Sequence, residues 1–199
     1  MQAPDPTLSL TGEHVVIEPM GERHLEGLAA AAADPTLWRY LPIAPPNSPE
    51  LLRAWMDAAL SARDRGDEVP FVLVHRESGA VAGSTRYLDI STPHCGLEIG
   101  WTFVAPELQR TALNTEAKLL LLEHAFNELG AVRVCIKTDG RNIRAQRAIE
   151  RLGAVREGTL RRHRVLPDGY IRDTVYYSII AEEWPAVCKA LQGFLSSSR

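Results

Sequence analysis

A chain of 199 residues with 45% hydrophobic and 24% charged side chains suits one globular domain with a sizeable core, or at most two small ones. Its net charge of -3 gives no electrostatic argument for a nucleic-acid or membrane-surface partner, and no run approaches the ~18 apolar residues of a membrane span. The three cysteines, Cys95, Cys135 and Cys188, lack C-x-x-C spacing and argue against a disulfide framework or a zinc site; with no leader-like segment in MQAPDPTLSL, they predict a cytoplasmic protein.

Residues 1–9, Pro-rich and polar, read as a loose arm. HVVIE, residues 14–18, predicts a strand closed by Pro19, and a helix follows from Glu22 until Asp34-Pro35 ends it. PTLWRYLPIAPPN is a long irregular connection carrying Trp38 and Tyr40, suited to a lid or binding wall, or to a surface loop pinned by Trp38. Ser48 then caps a helix with Pro49 at its first position, a stripe of Leu51, Leu52, Trp55, Met56, Ala59 and Leu60, and Gly66 at its end. Phe71–His75 and Ala80–Tyr87 predict a hairpin around Glu77-Ser78-Gly79, and Ser91-Thr92-Pro93 a turn.

The chain is organised around the next stretch. Leu97, Ile99, Trp101 and Phe103 alternate with Glu98, Gly100, Thr102 and Val104 as a strand, which Pro106 interrupts. From Leu113 a helix shows apolar positions at Ala117, Leu120, Leu121 and Ala125, widened by Leu119, Leu122, Phe126 and Leu129, and stops at Gly130. Thr111, Asn114 and Thr115 are capping types at its start, where free N–H groups and the helix dipole can hold an anion such as phosphate. Val132, Val134 and Ile136 mark another strand, and Asn142 starts a short helix ended by Gly153. Glu157–Val165 and Tyr170–Ile180 are strands joined by Pro167-Asp168-Gly169, and a last helix runs from Glu182 to about Leu195 before a loose tail at 196–199. Nothing divides the chain, so residues 1–199 read as one mixed α/β domain.

Both this element order and the residues from Glu98 to Ala117 resemble the GNAT acyltransferase superfamily, whose phosphate loop has the form Q/R-x-x-G-x-G/A. Here the loop is Gln109-Arg110-Thr111-Ala112-Leu113-Asn114, with Ala112 and Asn114 at the glycine positions. NIRAQRAIERLGAVREGTLR, from Asn142, and the block 168–185 are similar to the RimJ/RimL-like branch. The resemblance implies a central, mixed, mostly antiparallel sheet of about seven strands flanked by helices, with a splayed central strand pair. It implies acetyl-CoA as acyl donor and no metal, with Gln109, Arg110, Thr111, Ala112, Leu113, Asn114 and Thr115 around the pyrophosphate. It further implies a thioester carbonyl at the backbone of Phe103 or Val104, a pantetheine contact at Asn142, and Arg147 near the cofactor. The acceptor implied is a primary amine, including a protein N-terminal amine, in a pocket among Trp38, Tyr40, the loop from Tyr87 to His94 and the Arg161–Tyr170 hairpin. No nucleic acid or membrane partner follows; a homodimer is compatible.

Acyl transfer to an amine needs a proton acceptor, and the resemblance implies Glu98, on the strand that leads into the cofactor loop, where the family often has a carboxylate acting directly or through water. On a mostly apolar strand its pKa should be raised by desolvation. The structural alternative pairs Glu98 with Arg86. Seven residues after Asn142, where the family has a tyrosine or serine as acid, stands Ile149; Tyr176, Tyr177 and Ser178 read as structural, and His163 as a surface residue. A G-x-S-x-G elbow and metal-ligand clusters are absent. Two rivals stand beside the acetyltransferase: a non-catalytic acyl-CoA-binding or interaction module of the same fold, and a different α/β fold holding a nucleotide at Thr111–Thr115, which lacks both G-x-x-x-x-G-K-[ST] and G-x-G-x-x-G.

Overall fold

The computed structural model describes residues 1–197, and a single eight-stranded sheet runs through them. Its strands are β1 (Leu10–Thr11), β2 (Val15–Pro19), β3 (Val69–His75), β4 (Val81–Ser91), β5 (Gly96–Val104), β6 (Arg133–Asp139), β7 (Val155–Val165) and β8 (Ile171–Ile180), in the order β1-β2-β3-β4-β5-β6-β8-β7. All neighbours pair antiparallel except β5 and β6, whose connection is the long helix α3 (Ala112–Glu123). The eighth strand, against about seven expected, is the two-residue β1.

Strand alternation sorts the core onto two faces. In β3, Phe71 and Leu73 join Ile17, Tyr87, Ile99, Leu121 and Tyr177 under α3 and α5 (Trp184–Ser196), while Val72 faces α1 (Leu25–Ala31) and α2 (Pro49–Asp64) with Leu28, Trp38, Trp55, Met56 and Phe103. Ser48 caps α2 as expected, its side chain accepting from the Leu51 N–H. The hairpin turn at residues 166–170 closes with Gly169 at φ +80°, the left-handed conformation that glycine adopts without a Cβ penalty.

Two expectations are corrected. Residues 1–9 are docked rather than loose: the Gln2 N–H donates to the Leu129 carbonyl at 2.8 Å, and Met1 and Leu8 pack on the core. The long helix is not α-helical to Leu129, because residues His124–Glu128 form a π turn. The buried Tyr87 hydroxyl donates to the Leu121 carbonyl at 2.5 Å, competing for the acceptor that the Ala125 N–H would use, and a side chain entering the ladder is a recognised cause of such irregularity. α5 reaches Ser196, one residue into the expected tail, and residues 198–199 lie outside the described residues. Among the described residues no helix is long and apolar enough to cross a membrane.

Candidate active site

The site begins where two strands part. β5 and β6 pair at Gly96, Leu97 and Glu98, opposite Arg133, Val134 and Cys135, yet β5 continues to Val104 and β6 to Asp139. Beyond Glu98 the β6-facing edge of β5 has no strand partner among the described residues, which leaves backbone polar groups lining an opening wedge. Glu98 stands at its vertex, 2% exposed. Its carboxylate lies over Gly100, where a Cβ would come within 2.7 Å of Oε1, and the Lys137 ammonium sits 2.5 Å from Oε2. Burial pushes the Glu98 pKa up to about 7; Lys137 opposes the rise and nearby Asp89 adds to it. Lys137 also contacts Asp89 at 3.0 Å. Arg86 is not the partner of Glu98: it binds Glu68 at 2.7 Å.

One extra residue in β5 shapes the wedge further. Arg86 pairs with Gly100 but Ser84 with Phe103, so β5 bulges by one residue, and Trp101 takes φ +52°. On one face the Arg86 guanidinium lies 4.8 Å from the Trp101 ring and 5.0 Å from that of Trp55. On the other, the Lys118 ammonium of α3 donates to Thr102 Oγ1 at 2.6 Å and Thr85 Oγ1 at 3.2 Å. Lys118 has no ion pair among the described residues, and its burial pulls the pKa down to about 7. Gly83 makes the β4–β5 crossing feasible, since a Cβ there would stand 2.1 Å from the Phe103 carbonyl oxygen. Phe103 packs against Trp38 and Trp55, and the Val104 carbonyl accepts from Gln109 Nε2 at 2.7 Å.

From there the chain enters the predicted anion-holding turn. Gln109 braces it, its Oε1 accepting from Arg144 at 2.6 Å. Arg110 has φ +65°, so the left-handed position falls on Arg110; Ala112 and Asn114 both lie in the first turn of α3, where helical backbone needs no glycine. Thr111 caps the helix, accepting from the Leu113 N–H at 3.3 Å and donating to the Leu108 carbonyl at 2.8 Å. Leu113 is a core residue, so it meets the turn only through its backbone. Thr115 accepts from Arg151 at 3.4 Å, and the buried amide oxygen of Asn114 has no protein partner. Asn142 caps α4 (Ile143–Arg151), accepting from the Ala145 N–H at 3.0 Å, and Arg147 is exposed on that helix. A cleft of about 460 Å³ opens beside the turn, between Arg110–Ala112, Arg151, Leu152 and the end of α5 at Leu191 and Phe194.

The face of the sheet that carries Glu98 gathers a second group. Tyr40 and Tyr170 flank Arg141, their ring centroids 5.7 and 3.4 Å from its guanidinium carbon, and Asp139 holds Arg141 at 2.8 and 3.1 Å. Arg172 donates to the Tyr40 carbonyl at 3.1 Å. His163 Nδ1 lies 3.0 Å from Thr174 Oγ1, and its ring packs 6.0 Å from that of Tyr176. Two residues expected in the acceptor pocket are elsewhere. Tyr87 is fully buried between Phe71 and His124, and Trp38 is 1% exposed, its indole donating to the Ala32 carbonyl at 3.0 Å. Both aromatics supply core, and only Tyr40 borders the open face. Sequence reading missed Lys137, Asp89, Arg141 and Arg172. Alternation along the β6 sequence marked Lys137 as opposite in face to Ile136, but its meeting with Glu98 depends on parallel pairing across α3.

Comparisons with known proteins agree with this geometry. A family profile described as "Acetyltransferase (GNAT) domain" matches residues 14–155. The uncharacterized N-acetyltransferase YnaD of Bacillus subtilis (strain 168) is 29% identical over 124 residues, covering 61% of this chain and 71% of that protein. The crystal structure of a GCN5-related N-acetyltransferase from Brucella melitensis superposes with a TM-score of 0.92 at 30% identity, over 98% of this chain and 87% of that one. Mycobacterium smegmatis RimJ, solved in complex with CoA-disulfide, shares the fold with a TM-score of 0.78 at 20% identity, over 90% of this chain and 88% of that one. With a splayed β5–β6 pair, a bulge beyond its vertex and a capped turn leading into α3, the chain belongs to the GNAT family and is an acetyltransferase.

Proposed function

We propose that this acetyltransferase takes its acetyl group from acetyl-CoA and delivers it to a primary amine by direct attack, with Glu98 as the base. One observation carries the reading: the Glu98 carboxyl group is buried at the vertex where β5 and β6 part, and that burial pushes its pKa up to about 7. A base of that pKa is half ionised near neutral pH, where it can take a proton from an attacking amine. The residues around the α3 turn fit the donor. Arg110, the N–H groups at the capped helix start, Arg147 and Arg151 suit its phosphates, and the orphaned Asn114 oxygen suits an N–H or hydroxyl donor on the same ligand. Bound there, acetyl-CoA supplies a thioester whose carbonyl carbon an amine can attack. Glu98 would accept the proton from that amine as the new C–N bond replaces the thioester C–S bond and CoA leaves as its thiolate. Lys137 would hold the carboxylate in place, and the unpaired backbone edge near Phe103 and Val104 would offer N–H groups to the carbonyl oxygen. The RimJ/RimL-like motifs make a protein N-terminal amine the acceptor to try first, in a cytoplasmic setting.

The test is calorimetric titration with acetyl-CoA, ATP serving as control, followed by an assay of CoA release against amines and peptides. Micromolar binding, about -8 kcal/mol, is expected. E98Q is expected to keep that affinity while kcat falls by about 10²- to 10⁴-fold. Ile149, buried where the resemblance leads one to expect a hydroxyl acid, offers no proton to the departing thiolate at that position. Tight binding with no CoA release from any amine or peptide, or release unchanged in E98Q, would overturn the reading of Glu98 as the base of amine acetylation.

A further inference from the structure

We propose that the acceptor carries a carboxylate set several atoms away from its reactive amine, and that Arg172, with Arg164 beside it, binds this group. The inference rests on the reading of Glu98 as the base that receives the amine.

Arg172 is 6% exposed and makes one hydrogen bond, Nη1 to the Tyr40 carbonyl; its Nε is buried without a partner, and neither Arg172 nor Arg164 has an ion pair among the described residues. Desolvation lowers its pKa, while the Asp139 and Glu98 carboxylates, neither of them ion-paired to it, pull the other way. Arg164 stands directly opposite on β7. Like charges facing each other across strands are unfavourable, and a buried cation without an ion pair more so, so the arrangement favours a further anion in direct contact. The protein's nearby carboxylates are already engaged: Asp139 grips Arg141, and Asp89 and Glu98 share Lys137. A ligand carboxylate would supply the missing charge, with a guanidinium well shaped for it and the rings of Tyr40 and Tyr170 alongside.

Register sets the spacing of the two ends. Glu98 is level with Cys135 and hence with Ser178, and Arg172 lies six residues further along β8 on the same face, about 20 Å of strand at the backbone. Both side chains therefore belong to one face of the sheet, but an amine at Glu98 and a carboxylate at Arg172 do not sit on one carbon. That geometry selects an acidic side chain within the first residues of a peptide over a free α-amino acid.

The experiment measures kcat/KM by CoA release for Ser-Asp-Ala amide against Ser-Asn-Ala amide, and for free aspartate against asparagine, with wild type, R172Q, R172K and R164Q. Wild type is expected to prefer the acidic peptide by about 10- to 100-fold, the worth of a charge-assisted hydrogen bond. R172Q should bring the ratio near one, with R172K and R164Q retaining part of it. Free aspartate favoured over the acidic peptide would overturn the spacing argument, and equal use of both peptides by wild type, or a ratio unchanged in R172Q, would overturn the proposal. If no acceptor releases CoA, the amine-transfer reading fails, and calorimetric titration with glutarate, an amine-free dicarboxylate, decides this one alone. Glutarate binding that weakens at least tenfold in R172Q supports the site; absence of binding to wild type, or equal binding to both, rejects it. Should R172Q fold poorly, R164Q at an exposed position carries the same test.

Discussion

Glu98 shows how one residue's chemistry is set by competing neighbours. Burial raises its pKa, the Asp89 carboxylate adds to the rise, and the Lys137 ammonium pulls against both. A base must be deprotonated to act, so the acidic limb of kcat/KM should climb with pH and level off above about 7. Replacing Lys137 by Met removes the cation in contact with the carboxylate, which favours the ionised form, and the limb should move about one pH unit or more to the alkaline side. A pH–rate profile of K137M superimposable on wild type would show that the ammonium does not act on the proposed base, or that Glu98 is not that base.

At the scale of elements, the bulge of β5 is the feature that local sequence signals do not reveal. Trp101 adopts φ +52° within the bulge, with Arg86 stacked on its ring on one face and Lys118 tying Thr102 to Thr85 on the other. The cost falls on Lys118, an ammonium with two hydroxyl partners and no carboxylate. Its pKa drops from 10.5 to about 7 on burial, so the unfolded chain binds more protons between those values. Its contribution to stability is therefore most favourable above pH 10.5, diminishes as pH falls toward 7, and changes no further below that. K118M, which keeps the stem and removes the charge, should be more stable than wild type at pH 6 in urea denaturation, with the gap narrowing as pH rises to 10. A gap that stays constant from pH 6 to 10 would contradict a buried ammonium. The same variant loosens the grip on Thr102, which makes it a useful probe of how tightly the wedge must be held.

Across the whole molecule, distant segments are joined by a few specific contacts. The Glu116 carboxylate of α3 accepts the backbone N–H groups of Glu13, His14 and Val15 at 2.8, 2.7 and 2.9 Å, more than a hundred residues away in sequence. Glu116→Ala leaves three donors unsatisfied and should cost about 2–4 kcal/mol of unfolding free energy. E116Q, retaining one acceptor oxygen, should recover part of that. Loss of less than about 0.5 kcal/mol in E116A, the range of ordinary surface changes, would mean that water replaces the carboxylate without penalty. Because Glu116 lies one turn beyond the capped start of α3, this staple also fixes the helix that carries the anion-holding turn.

Much of this architecture was legible in the chain itself, wherever a local rule decided it. Ser48, Thr111 and Asn142 cap their helices because short polar side chains satisfy free N–H groups at helix starts, and Pro167-Asp168-Gly169 turns because Gly169 accepts a left-handed backbone. Alternation placed Glu98 on a buried strand, and desolvation then dictated the direction of its pKa. What remained for the tertiary structure were meetings between segments far apart in sequence. Lys137 rather than Arg86 faces Glu98, because β6 pairs parallel to β5 across α3. Tyr87 and Trp38 went to the core because their rings had neighbours to bury against, while Arg141 and Arg172 reached the open face through the β6–β8–β7 order. Local sequence fixes backbone conformation through short-range sterics and hydrogen bonds; which charges meet depends on strand order and register, and those are decided only when the whole sheet closes over its two cores.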